Sequence, residues 1–586
     1  MNDAGAVVGL WKRPGVVGAL LVAVLVVALA LRLKGVGWGL PFSFVNADES
    51  VVVPKAFGVA RGGLNPQFFY YPSLFFYLVG GEYLLAAPVL WAVQHANPLA
   101  MGSFVVDPGP YLLLARLLSV AAGTASAYLL YRIGQEAFGR PAGLVAALFL
   151  AVAPLHVAYS HMAVTDVTAT ALSLLALLLL LQAARGGGRR RLIAGAVAAG
   201  LATSTKYNLG ALVLPASIAA VYVCRGEVGR RAAAGGRAAL LWPRLLLARV
   251  YAPMLLAFVV GSPFVILDTG HFLHDFLRQN RIVDRGWLGF ENVGNGFWYN
   301  LEVNLGGTLG VVLVVLAIAG LAWALWRHTA VDLLLAPYAL AYFVYISTWK
   351  ELADRYLLPI LPLLLLLAVR MCLELADLRP AARRVAAPAV GLVLAAALVA
   401  PLAGSIAFDR ELSGADVRVR AKAWVERHVP AGSIIATENY GPPLLRMRDE
   451  KYYRAAGLEK PAYRILRLRL PAPGAPNRSH SRDWLREKDA DYVIVSSKVY
   501  DRVLAAADSY PELAAFYRSL DDDAELVEVF APGPGERGPV LKLYRLGAPA
   551  ALGVWPAAPS RTFRPPLAPP RPRRWAVAPA SPQGRR

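Results

Sequence analysis

Long apolar runs broken by short charged turns set the pattern of the first two-thirds of the chain. Val16 to Leu33 is almost purely apolar, and Leu172 to Leu181 and Leu361 to Val369 carry no charge at all. The apolar windows around these runs approach the ~20 residues a helix needs to cross a bilayer. The spacing predicts spans near 16–33, 111–131, 141–159, 167–183, 190–205, 208–224, 250–267, 308–326, 331–347, 357–370 and 386–406, about eleven in all. Residues 34–107 break the rhythm with a high density of Tyr, Phe, Trp and Pro. That composition suits helices lying in the membrane interface. A crossing at 73–93 is the alternative and would invert everything downstream, putting most of the Arg clusters outside, so 73–93 is expected to stay on the outer surface. From Asp409 the pattern becomes that of a water-soluble domain. Ala421 to His428 reads as an amphipathic helix, and Ser433–Thr437, Asp491–Val495, Ala524–Phe530 and Val540–Arg545 read as strands.

These patterns predict three parts: a polytopic α-helical membrane domain at 1–408, a small α/β domain at 409–548, and a tail at 549–586. The tail is rich in Pro, Ala and Arg and cannot bury a core, so it is expected to be disordered.

Composition fits this division. The hydrophobic fraction is 57%, above that of an ordinary soluble protein. The net charge of +21 raises the question of nucleic acid, but the arginines gather in short loops between apolar runs and in the tail. Arg132 and Arg140, Arg185 with Arg189 to Arg191, Arg225 to Arg244, and Arg370 to Arg384 all fall on one side of the predicted spans. This is the positive-inside pattern, and it argues against a nucleic-acid partner. It also places the loop containing Asp48, the segment 268–307, the turn Thr348–Tyr356 and the C-terminal domain on the outer side. Lys12 and Arg13 precede the first apolar run, which leads to Arg32, Lys34 and Trp38 without a small-residue cleavage site; we expect it to be retained as a span. Cys224 and Cys372 are the only cysteines and support neither a disulfide framework nor a metal site.

No Walker-type phosphate loop, zinc-protease motif or dinucleotide fingerprint stands in a suitable context. Gly186-Gly187-Gly188 sits between arginines in a turn and reads as a linker. Sugar or lipid chemistry here would therefore use a preactivated donor. The remaining candidates lie at outer span ends. Asp48 and Glu49 follow the first span, where an acid either serves a function or merely marks the membrane boundary. Asp166 suits either a helix N-terminus or an acidic site. His161 reads as a metal or phosphate ligand or as a simple hydrogen-bonded interface residue, and His271 and His274 stand in the outer segment 268–307. Lys206 interrupts an apolar stretch, as a snorkelling lysine or as a cation for lipid-linked phosphate. Arg355-Tyr356 precedes another span, and Arg suits bidentate phosphate contacts.

Several motifs in order carry a family resemblance: the acidic pair after the first span, Tyr71-Pro72-Ser73-Leu74, Ala115-Arg116-Leu117-Leu118-Ser119, Ala153-Pro154-Leu155-His156 leading to Thr165-Asp166, Gly200 to Tyr207, and Asp354-Arg355-Tyr356-Leu357-Leu358-Pro359. Over roughly residues 10–405 the chain resembles bacterial membrane glycosyltransferases of the GT-C fold. More narrowly, it is similar to the protein O-mannosyltransferase and lipid A aminoarabinose transferase superfamily. It differs from the aminoarabinose-type pattern in having Tyr71 and a single Pro72.

The resemblance implies transfer of a sugar from a polyprenyl-phosphate donor to a hydroxyl of a protein, lipid or glycan acceptor. The reaction would take place at the outer face of a bacterial cytoplasmic membrane. It implies Asp48 as the base, with Glu49 as a helper, metal ligand or cap, and Asp166 as a second acid. Lys206, Arg355 and Tyr356 would serve the lipid phosphate. His161, His271 and His274 are candidates for acceptor or metal contacts; a divalent metal is compatible with the sequence but not demanded by it. A transporter or flippase for lipid-linked saccharides, a polymerase or ligase, and an envelope-assembly scaffold are the rival readings.

Overall fold

The computed structural model describes residues 13–42, 46–233, 238–377, 383–471 and 476–547. The tail 549–586 lies outside the described residues, as do Lys12, Arg237 and Arg379. The chain divides into two compact units, one of Met1–Arg285 with Asn295–Gly414 and one of Gly286–Gly294 with Ala415–Arg586.

The first unit is helical. Its main elements are α1 (Pro14–Leu33), α2 (Glu49–Ala60), α3 (Leu74–Gln94), α4 (Gly109–Phe138), α5 (Arg140–Ala151) and α6 (Pro154–Ser160). There follow α7 (Thr165–Gln182), α8 (Gly188–Thr203), α9 (Val213–Ala233), α10 (Ala252–Gly261) and α11 (Thr269–Arg285). The unit ends with α12 (Val311–Arg327), α13 (Ala330–Ser347), α14 (Leu361–Asp377) and α15 (Arg383–Leu412). Each predicted span coincides with one of these helices or a close-coupled pair. Among the described residues, eight helical segments are long and apolar enough to cross a membrane, or nine if the bent pair α5–α6 counts as one span. These helices make the chain an integral membrane protein.

One of those eight segments, 165–203, is two helices rather than one. Gly186 has φ of 106°, a left-handed conformation that Gly adopts at little cost, and the chain reverses there. The ideal Cβ of Gly195 would lie 2.8 Å from the Leu180 side chain, as expected for an antiparallel hairpin of α7 on α8. The segment 73–93, expected on the outer surface, forms α3, a continuous helix of 21 residues with the length and hydropathy of a span.

The core of this unit is a cluster of buried side chains, mostly Leu and Ala, drawn from α4 to α10 and from α12 to α15. Lipid replaces water around such a bundle, so outward-facing apolar residues such as Leu255, Leu256 and Val260 on α10 remain exposed. A smaller aromatic cluster joins α2, α3 and the start of α4 through Phe57, Phe75, Phe76, Tyr83 and Tyr111.

The second unit is an α/β domain. A five-stranded sheet has the order β3-β2-β4-β7-β5, made of β2 (Ile434–Thr437), β3 (Arg464–Arg467), β4 (Tyr492–Ser496), β5 (Glu525–Phe530) and β7 (Leu541–Arg545). Strands β2, β3 and β4 are mutually parallel, while β7 runs antiparallel to β4 and to β5. A two-residue β1 (Ala415–Asp416) pairs with β6 (Glu536–Arg537). Helix α16 (Val417–His428) covers one face of the sheet with Val417, Ala421 and Val425. Helices α17 (Ser497–Ala505) and α18 (Pro511–Asp523) pack on the other face through Val499, Val503, Phe516 and Leu520.

Candidate active site

The site lies where the loops joining the helices of the first unit converge. Asp48 stands at the N-cap position of α2 without capping it through its side chain, and the Asn46 side chain accepts hydrogen bonds from the Asp48 and Glu49 amides at 2.9 and 3.4 Å. This local turn points the two neighbouring acids in different directions. Asp48 keeps 33% of its side chain exposed and receives Arg355 Nη1 at 2.5 Å on Oδ2. The Tyr71 hydroxyl approaches its other oxygen at 3.4 Å.

Glu49 turns inward. Both its oxygens accept from Arg116, Nε at 2.7 Å and Nη2 at 2.8 Å, and Oε1 also accepts the Ala163 amide at 2.8 Å. Glu49 and Arg116 are both fully buried. Arg116 is further held by the carbonyls of Val36 and Trp38 and stacks on the Trp38 ring. Glu49, expected among the catalytic residues, is fully engaged in this buried pair. Its lone pairs are spent on tying α2 to α4 and to the turn before α7.

A second acid–base pair stands near the first. Asp166, in the opening turn of α7, accepts from Lys206 Nζ, and both side chains are almost entirely buried. The α7–α8 hairpin brings these residues together: Asp166 stands at the start of one arm and Lys206 just past the end of the other. Close approach of α8 to its neighbour depends on Gly200, whose ideal Cβ would lie 2.1 Å from the Met254 carbonyl. The Leu74 amide donates to the Ser204 carbonyl at 3.1 Å and the Ser73 amide to Ser262 Oγ at 2.9 Å. These bonds lock the Tyr71-Pro72-Ser73-Leu74 element against the Gly200–Tyr207 segment.

The third component is the turn before α14. Lys206 Nζ lies 4.9 Å from the centre of the Tyr356 ring, a cation–π distance. The Tyr356 hydroxyl donates to Glu351 at 3.0 Å. Asp354 accepts both the Tyr159 hydroxyl and the Arg355 amide at 2.7 Å, which fixes the backbone from which Arg355 reaches Asp48. Sequence reasoning did not single out Glu351, Asp354 or Tyr159. The signal available was the density of charge within the short turn Trp349–Tyr356.

The electrostatics follow from this packing. Burial lowers the Lys206 pKa from the ordinary lysine value, against the opposing pull of Asp166. Burial raises that of Asp354, against the Tyr159 hydrogen bond. Tyr71 is pushed well up by burial and by the Asp48 charge, so its hydroxyl acts as a donor and not as a base. Burial opposes the charge on Arg355, but the neighbouring acids, Asp48 foremost, overcome it and hold the guanidinium ionised.

The histidines fall elsewhere. His161 is buried, with Nδ1 against the Val157 carbonyl and Nε2 against the Lys34 carbonyl at 2.9 Å each. It also lies 3.7 Å from Asp409. His271 and His274 are exposed on α11 beside Asp268 and Asp275. Asp268 and Asp275 also bond Asn65 and the Phe69 amide, joining α11 to the first loop. The structure therefore does not bring the three histidines together. Among the described residues, no group of three or more His, Cys, Asp or Glu side chains is arranged to hold a metal ion.

Comparison with known proteins adds to this geometry. Residues 111–265 match the sequence profile of the family described as dolichyl-phosphate-mannose-protein mannosyltransferase. No curated protein matches the chain. Among solved structures, the fold is similar to that of ArnT from Cupriavidus metallidurans in the apo state, with a TM-score of 0.50 and 14% identity over 90% of this chain and 98% of that one. It is also similar to the apo oligosaccharyltransferase of Archaeoglobus fulgidus, with a TM-score of 0.52 and 12% identity over 84% of this chain and 72% of that one. A third match is AglB from the same organism in complex with an inhibitory peptide and a dolichol-phosphate, with a TM-score of 0.51 and 12% identity over 89% and 74%. The chain has the fold of the GT-C glycosyltransferases and, through its 111–265 segment, is related to the protein mannosyltransferases.

Proposed function

We propose that this protein transfers a sugar from a polyprenyl-phosphate donor to an acceptor hydroxyl at the outer face of the cytoplasmic membrane, with inversion at the sugar C1. The observation that carries the reading is the Asp48–Arg355 pair set beside the Asp166–Lys206 pair at the ends of membrane helices. Two cations and an accessible carboxylate in one cluster match the needs of the reaction. The phosphate of the donor attracts Arg355 and Lys206, and drawing Arg355 away releases Asp48 to accept a proton. Asp48 then takes the acceptor O–H proton as that oxygen attacks C1 and the bond from C1 to the phosphate oxygen breaks. The electron pair leaves with the polyprenyl phosphate, whose charge the two cations offset. Asp166 holds Lys206 in position, and Tyr71 and Tyr356 supply walls and hydroxyl dipoles. The dolichol-phosphate bound by AglB, which shares the fold, supports a lipid phosphate as the carrier.

The test uses purified protein in lipid nanodiscs with a panel of polyprenyl-phosphate sugars, reading release of polyprenyl phosphate by mass spectrometry. Asp48→Asn is expected to bind the donor and fail to turn it over. Near-normal release by that variant would sink the assignment. Envelope glycans and glycolipids from cells with and without the protein identify the sugar and the acceptor.

A further inference from the structure

The C-terminal domain contains a second set of convergent polar groups that the proposed reaction does not use. Its first three sheet strands carry a topological switch. β2 comes first in sequence, β3 lies on one side of it and β4 on the other, and all three are parallel. Connections from the carboxyl ends of β2 and β4 therefore part in opposite directions, which makes this the switch point at whose crevice α/β sheets commonly take ligands.

The side chains at that point are donors. Thr437 ends β2 and Ser496 ends β4. Thr437 pairs with Ile494 in the ladder, and Ser496 is two residues further, so both hydroxyls project from one face of the sheet. Both residues are buried, at 4% and 0% exposure, and neither Thr437 Oγ1 nor Ser496 Oγ has a hydrogen-bond partner. Ser496 is the N-cap of α17, and its hydroxyl caps none of the helix amides. An unpartnered hydroxyl with this burial is rare in folded proteins. Two of them at adjacent strand ends, one at a nine-residue helix N-terminus, form a cradle of donors.

Positive charge surrounds the cradle. Lys498, in the first turn of α17, stands 5.6 Å over the Tyr440 ring and forms no ion pair with an acid among the described residues. Its side chain keeps contact with solvent. Even so, nearby chain and the like charges of Arg418, Arg502 and Arg537 bring its pKa down to about 8, against the partial relief of Asp416. Asp416 is already held by Arg418 at 2.7 and 2.8 Å and by Arg537 at 3.4 Å. Glu438, whose Oε2 accepts the Ser496 amide, is raised by burial to about 8 and so keeps its proton through much of the neutral range.

We propose that this crevice binds a phosphoryl group through the hydroxyls of Thr437 and Ser496, the Lys498 ammonium and the α17 amides that follow Ser497, whose own amide donates to the Val540 carbonyl at 2.9 Å. Point donors arranged around a helix N-terminus suit a tetrahedral phosphate, whereas a planar carboxylate is best met by the fork of an Arg. The phosphoryl group belongs to a soluble sugar phosphate or to a lipid-linked one. The domain is then a second recognition site.

Hydrogen–deuterium exchange of the full-length protein in zwitterionic nanodiscs tests this. One arm receives glucose 1-phosphate, a second farnesyl phosphate, and a third sodium chloride at equal ionic strength. Saturable protection of residues 496–505 and 437–441 is expected with a phosphate ligand and not with chloride. Lys498→Gln should weaken it about tenfold, and Ser496→Ala should also weaken it while the rest of the exchange map stays unchanged. Protection by glucose 1-phosphate assigns the soluble form, and protection by farnesyl phosphate alone assigns the lipid-linked form. The proposal is overturned by protection in neither arm, by equal protection with chloride, or by undiminished protection in Lys498→Gln.

Discussion

Neutralising Asp48 and Glu49 one at a time should give opposite phenotypes from adjacent residues. Asp48→Asn removes a carboxylate that is one-third exposed and paired with a partly exposed Arg355. An ion pair with that much solvent contact contributes about 1 kcal/mol or less, so stability should hardly change. If Asp48 is the base, turnover falls by about 10²–10⁴, a rise in the barrier of roughly 3–5 kcal/mol. Glu49→Gln reverses the pattern. Three hydrogen bonds end on the Glu49 carboxylate, two from Arg116 and one from the Ala163 amide, in a site with no solvent access. Removing one partner of a buried pair leaves the other charge uncompensated, at a cost of about 3–5 kcal/mol. The folded fraction should retain turnover within about tenfold, because the groups in the Asp48–Arg355 cluster are untouched. The assay pairs polyprenyl phosphate release per folded molecule with thermal unfolding followed by size-exclusion chromatography. A stable, folded Glu49→Gln protein with turnover down by more than a hundredfold would refute the division of labour drawn here.

Three further outcomes follow from other parts of the structure. Arg355→Lys keeps a cation but loses the planar fork, and kcat/KM for the donor should fall by about 10–100-fold; a wild-type value would remove Arg355 from phosphate binding. Gly200→Ala would place a Cβ 2.1 Å from the Met254 carbonyl, forcing α8 away from α10. It should destabilise the membrane unit by about 1–3 kcal/mol, read by thermal unfolding, and unchanged stability would show that the helices separate freely. In the C-terminal domain, burial raises Glu438 to about 8 and lowers His480 to about 4. The Glu438 contribution is complete below its ordinary 4.5 and is lost as pH rises through 8. That of His480 is complete above its ordinary 6.5 and is lost as pH falls through 4. The two slopes cancel between about 4.5 and 6.5, and stability then declines up to about pH 8 by roughly 1.4 kcal/mol per unit. Hydrogen exchange of β4 between about pH 6.5 and 8 should show the decline in the native protein and a flat profile in Glu438→Gln.

The membrane helices were legible because lipid leaves a span few choices of composition, and apolar runs of that length have few other uses. The strand Arg464–Arg467 was not legible. It is an edge strand of four residues with Arg at both ends, and its identity comes from pairing with β2. For the site, a charge at the end of an apolar run marked Asp48, Asp166, Lys206 and Arg355 individually. Their partners were hidden, since Asp48 and Arg355 are 307 positions apart and no local rule links them. The inward turn of Glu49 depends on where Arg116 arrives from α4, so local chemistry does not tell the two adjacent acids apart, and only the family resemblance set Asp48 ahead of Glu49. Surface placement of 73–93 rested on aromatic content and on the Arg distribution, neither of which reports the length of the continuous helix α3.

The α7–α8 hairpin also acts as a pair of matched rulers. Its arms have 18 and 16 residues, roughly 27 and 24 Å of helix. Because the chain goes out along one and returns along the other, Asp166 and Lys206 meet at the same end whichever way the bundle is oriented. Deleting one residue from either arm would shorten it by about 1.5 Å and rotate everything beyond by about 100°, taking the lysine away from the aspartate. Residues added at the Arg185–Gly188 turn would change neither length nor phase. Tolerance to insertion should therefore be high at the end of the hairpin distant from the chemistry and close to nil along its arms.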